Sequence, residues 1–152
     1  MKIPEIPASI QTPDYLSSLS GVLEFILSVE TLIETPYDTK SGDVVAERIS
    51  DLIYLFAGST KAISSARYYR DETLKYVYEE MLRKAALNDE LAIKAFKTPS
   101  VINKIAETRV AELNALLVYV ERINAAITHS IDGLRSILSN LKAERQVTSY
   151  HH

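Results

Sequence analysis

Two residues on one predicted helix, Arg122 and His129, are of the types that acid–base chemistry on a phosphate ester needs. A histidine passes a proton near neutral pH, and an arginine holds a phosphate through its forked donors. A seven-residue step puts both on one side of a helix. The setting is sparse, however. His129 is the one internal histidine, and residue 126 is Ala, so the Glu-x-x-His element of di-iron bundles is missing. There is no Gly-rich phosphate loop, and with 0 Cys there is neither a thiol nucleophile nor a thiolate metal site. In the heptads described below both residues hold the outer f position, where polar residues belong on structural grounds alone. No catalytic residue, metal or cofactor is expected.

The second stretch with chemistry is Lys61 to Lys84. Five of the 9 tyrosines lie between Tyr54 and Tyr78. On a helical wheel Tyr69, Tyr76 and Arg83 line up at seven-residue steps, and Lys61, Tyr68 and Lys75 form a neighbouring line, both away from the apolar stripe. Cations interleaved with exposed rings suit a single strand, whose phosphates pair with Lys and Arg while its bases stack. Asp71, Glu72, Glu79 and Glu80 dilute the charge, so a solvated face with tyrosines packed on a neighbouring helix is the competing reading. The nucleic-acid-binding set is Lys61, Tyr68, Tyr69, Lys75, Tyr76 and Arg83.

The element that must organise these residues is the stretch from Val110 to Leu141. Its a positions are Val110, Leu117, Asn124, Ile131 and Leu138, and its d positions are Leu113, Val120, Ile127, Leu134 and Leu141. This 4-3 spacing is that of a helix supercoiling left-handedly against partners. Leu116, Ile123 and Ile137 at g widen the stripe beyond what a two-stranded seam needs. The spacing predicts a homo-oligomer held through Leu113, Leu117, Val120, Asn124, Ile127, Ile131, Leu134, Leu138 and Leu141, with Asn124 setting register.

Pro4, Pro7 and Pro13 keep residues 1–12 extended, with Ile3, Ile6 and Ile10 along the arm. Thr12-Pro13 opens a helix whose face is Leu16, Leu19, Leu23, Ile26 and Ile33, stopped by Thr35-Pro36. A second helix runs from Asp43 to about Leu87, with the stripe Val45, Ile49, Leu52, Phe56, Ile63, Leu74, Val77, Met81 and Ala85 holding its phase across Gly58. Asn88-Asp89-Glu90 ends it, a short helical piece reaches Phe96, and Thr98-Pro99 opens the long final helix. The expected architecture is all-α: a long-helix bundle with a C-terminal coiled-coil-like helix, forming one helical domain over residues 13–145. Residues 146–152 carry no pattern and read as a disordered tail, with His151 and His152 resembling an appended tag.

Composition agrees. Hydrophobic residues make up 47% of the 152, with only 4 Gly, which favours long helices over a sheet. Net charge is −3, against a generally basic nucleic-acid binder, and the acid excess lies in residues 1–42, with 2 basic and 6 acidic groups. No run approaches a membrane span and the start lacks a signal-peptide core, so a cytoplasmic protein without membrane contact is expected.

Two family resemblances follow from these residues. Arg122 with His129 resembles the Arg-x(4–6)-His element of the HEPN ribonucleases, in which copies of the pair meet across a dimer. The order of parts over residues 43–145 resembles the phage recombination mediators of the UvsY type. It rests on Leu74-Lys75, on Ser100-Val101-Ile102, and on Ile131-Asp132-Gly133-Leu134-Arg135-Ser136. That resemblance implies an oligomeric, non-catalytic helical protein that binds single-stranded DNA and helps load a recombinase onto strands covered by single-strand-binding protein. The family's Lys-x-Arg element has Val77 at its Arg position here, so no contact residue is carried over from it.

Overall fold

The computed structural model describes residues 13–149, with side chains from residue 20 onward. The expected arm, residues 1–12, and residues 150–152 lie outside the described residues. Five helices account for nearly all of the rest, and no strand occurs among the described residues: α1 (Pro13–Glu34), α2 (Gly42–Ala86), α3 (Glu90–Lys97), α4 (Pro99–Arg109) and α5 (Ala111–Ser149). The all-α expectation holds.

Each boundary has a local cause. Pro13 stands where a helix loses nothing by lacking an N–H, and Pro36 bars continuation of α1. At the start of α2 the Val45 N–H donates to the Ser41 carbonyl at 3.0 Å, and Asp43 lies in the first turn while Arg83 and Lys84 lie in the last, matching the helix dipole. The end of α2 is a Schellman turn. The Asp89 N–H reaches the Lys84 carbonyl and the Asn88 N–H reaches that of Ala85, both at 3.1 Å, with Asn88 left-handed at φ 59°. Asp89 then caps α3, its Oδ1 accepting from the Ala92 N–H at 2.9 Å. Left-handed backbone penalises a Cβ, less for Asn than for most residues. Asn88→Ala is therefore expected to lower stability by about 1 kcal/mol and Asn88→Gly to leave it unchanged or raise it, as read from urea denaturation.

Two boundaries differ from expectation. The final helix is interrupted at Val110, whose backbone sits at φ −105°, ψ 8°. Hydrogen bonds from Val110 N to Ala106 O (3.1 Å) and from Asn114 N to Val110 O (2.9 Å) bridge the break, which falls at the first residue of the heptads. At the other end α5 passes Arg145 and continues to Ser149, where the expected tail had begun at residue 146.

By its contacts the chain forms two compact units. Among the described residues the first comprises 13–23 and 63–119 and the second 24–62 and 120–149, so α1, α2 and α5 each serve both. In the first unit Met81, Ala92, Ala95 and Ile102 form a buried cluster flanked by Ala85, Val101 and Ile105. The alanines of α3 let it lie close to its neighbours, and the Tyr78 hydroxyl donates to Asn103 Oδ1 at 2.9 Å, tying α2 to α4.

In the second unit the buried set includes Ile26, Val29, Val45, Leu52, Val120, Ile127 and Leu134. Gly58 does not hinge α2. An added Cβ would lie 3.3 Å from the Phe25 ring, so the glycine admits that ring against the helix. Arg48, only 8% exposed, completes the end of α1: its Nη2 donates to the carbonyls of Leu32 and Thr35 (3.1 Å for the latter), and its guanidinium lies 4.7 Å from the Tyr37 ring centroid. Of the expected α1 face, Leu16 and Leu19 lie outside the described side chains, Ile26 is buried and Leu23 half-buried, and Ile33 is a correction, being 58% exposed.

Candidate nucleic-acid interface

The predicted binding residues all lie on α2 but do not share one environment. Lys61 is exposed and belongs to the second unit; the others belong to the first. Within the first unit Tyr68, Lys75 and Arg83 are exposed and Tyr76 is half-buried. At about 100° per residue these four fall within a helical arc of roughly 100°. Tyr69 is the correction. It is 6% exposed, against 58% for Tyr68, and the two rings meet edge-on with centroids 5.1 Å apart. Tyr69 is thus core and has no face to offer a base, whereas Tyr68 does.

The reason lies in the composition of α2's buried line. It runs through Ser59, Ala62, Ala66, Tyr69, Thr73, Val77 and Met81, while the larger Ile63 and Leu74 sit beside it half-buried. Small residues give little hydrophobic signal, so the stripe read from sequence was drawn one position off in the middle of the helix, and Tyr69 fell outside it.

Charge on the arc is modest. Arg70 is forked onto Asp71 at 2.8 and 2.6 Å, and Lys84 pairs with Glu80 at 3.0 Å. Lys75 and Arg83 are exposed and ion-pair with nothing among the described residues. Glu72 and Glu79 fall within the same arc, so its formal charges cancel. The hydrogen bond from Lys84 holds the Glu80 carboxyl below the usual glutamate range, against the opposing effect of burial and with added attraction from Lys84, Arg109 and Arg83. A carboxyl lowered in the folded state stabilises above its unfolded pKa and loses that contribution as pH falls through the folded value. Wild type is therefore expected to exceed Glu80→Gln in stability by a few tenths of a kcal/mol above about pH 5, the two converging in acid, as read from urea midpoints across pH.

The predicted oligomerisation residues are occupied within one chain. Leu113, Leu117, Val120, Ile127, Ile131 and Leu134 are each 7% exposed or less, leaving Leu138 and Leu141 half-buried. Asn124 finds its partner in the same chain, its Nδ2 donating to Ser59 Oγ, which in turn donates to the Phe56 carbonyl at 2.6 Å. Arg122 and His129 are both exposed on α5, about 10 Å apart along its axis. No cluster of three or more His, Asp or Glu able to hold a metal occurs among the described residues, and no helix among them is long and apolar enough to cross a membrane.

Arg48 escaped the sequence reading. The signal was there: it sits between Val45 and Leu52 at spacings of three and four, on the apolar side of α2. No protein-family model, curated protein or solved structure matches the chain.

Proposed function

We propose that this chain is a non-catalytic helical protein that binds single-stranded DNA along the arc of Tyr68, Lys75, Tyr76 and Arg83. In keeping with its resemblance to recombination mediators, its partners are a recombinase and single-strand-binding protein. The observation that carries the reading is the pairing of an exposed tyrosine with two exposed cations, neither held in a salt bridge, on one side of a helix. A ring open to solvent has a π-face for a base, and a cation without a carboxylate partner is available to a phosphate. Self-association belongs to the same proposal. With the heptad residues buried in the chain, copies meet through other apolar surface, for which Leu82, Leu87 and Leu91, each more than 60% exposed, are the candidates.

The test is fluorescence anisotropy with a labelled single strand over a series of salt concentrations. Two phosphate contacts per chain, from Lys75 and Arg83, predict a log–log salt slope of about −1.4, with little dependence on base sequence. Absence of binding at low salt, from a protein shown to be folded, would remove this reading. Cleavage of RNA that disappears in His129→Ala would replace it with the nuclease.

A further inference from the structure

Arg109 ends α4 on the face that the helix turns inward. It follows Ala106 by three residues and Ile102 by seven, so the three share one side of α4; the first two are buried and Arg109 emerges at the rim. The Tyr78–Asn103 hydrogen bond ties α4 to α2. Around Glu80, on α2, cations gather from both helices. Lys84 bridges Glu80 at 3.0 Å, and Arg83 and Arg109 lie near enough to attract the same carboxyl. Lys84 already balances that carboxylate. Neither arginine forms a salt bridge among the described residues, and both are exposed.

The arc on α2 lacks net charge by itself, because Glu72 and Glu79 match Lys75 and Arg83. Arg109 supplies a positive charge from the neighbouring helix. It does so beside one edge of α2: Tyr76, Glu80 and Arg83 follow one another at steps of four and three, so they line the same side. A ring for a base and two arginines for a phosphate are thereby placed at the junction of two helices. Arginine suits this use, since its planar fork matches phosphate oxygens.

We propose that Arg83 and Arg109 form one phosphate-binding site between α2 and α4, at which a single strand lying along the arc passes Tyr76 and crosses to the end of α4. The inference rests on the single-strand reading and extends its path onto a second helix. All of the residues involved belong to the first unit.

Fluorescence anisotropy of the full chain with a labelled oligothymidylate, over a series of salt concentrations, tests it. A third phosphate contact steepens the log–log slope from about −1.4 to about −2.1. Arg109→Gln is expected to bind more weakly at low salt and to return the slope to about −1.4, so its deficit shrinks about fivefold for each tenfold rise in salt. Arg109→Lys should keep the wild-type slope, which separates lost charge from lost packing. Lys104 serves as the control, being exposed on α4 five residues and about 140° away from Arg109. Lys104→Gln should leave the slope at about −2.1. A wild-type slope near −1.4 that Arg109→Gln does not alter would overturn the inference and leave the strand on α2 alone. Equal changes in Arg109→Gln and Lys104→Gln would also overturn it, as the mark of overall charge and not of a site. Absence of binding by the folded wild type at low salt would remove the single-strand reading itself, and this inference with it.

Discussion

Ile127→Asp is expected to abolish cooperative folding. Ile127 is 1% exposed, at a heptad position where Val120, Ile123, Ile131 and Leu134 are buried as well. Truncating such a residue to alanine already costs about 2–5 kcal/mol. An unpaired carboxylate in the same place adds several more, and a whole domain is stable by only about 5–15 kcal/mol. The change decides between two meanings of the heptad pattern. If these residues joined copies of the chain, Ile127→Asp would yield a folded monomer. Because they are buried within one chain, the far-ultraviolet circular dichroism of the variant should lose its cooperative urea transition. Val118→Asp, at a position 44% exposed on the same helix, should keep it.

Arg48→Ala is expected to destabilise by about 3 kcal/mol, since two carbonyls at the end of α1 each lose a charge-assisted hydrogen bond worth about 1.5–3 kcal/mol and only part of that is recovered from water. The Tyr37 ring also loses its cation. Arg48→Lys should recover only part, because one ammonium lacks the planar fork and stacks less well. Urea midpoints of the three proteins measure this; a loss under about 0.5 kcal/mol would mean that water caps α1 equally well.

Much of this was legible in the residues, for identifiable reasons. Thr12-Pro13, Pro36, Asn88-Asp89 and Thr98-Pro99 are backbone signals that act locally, and the helices begin or end beside each of them. The heptad residues from Val110 to Leu134 are large and regularly spaced, so their burial followed from pattern. Which surface buries them did not, because period alone does not say whether a partner helix comes from the same chain. Asn124 illustrates this: its polar character at an a position signalled a partner, and the partner is Ser59 of the same chain. The break at Val110 has no Gly or Pro to announce it. Tyr69 was misread because α2's buried line passes through serine and alanines, where side-chain size stops reporting burial. Arg48 was overlooked because its charge argues for the surface, while its fork suits the end of a neighbouring helix.

Binding of a single strand along the exposed arc of α2 is tested by the adjacent tyrosines Tyr68 and Tyr69. Tyr68 is largely exposed, so Tyr68→Ala should leave the urea midpoint near that of wild type, whereas Tyr69→Ala should lower it substantially. With folding thus controlled, anisotropy on a labelled single strand at low salt reads binding alone. Tyr68→Ala is expected to weaken affinity by about 1–3 kcal/mol, roughly 5- to 150-fold, as loss of one stacked base requires. Unchanged affinity in a folded Tyr68→Ala protein would contradict it.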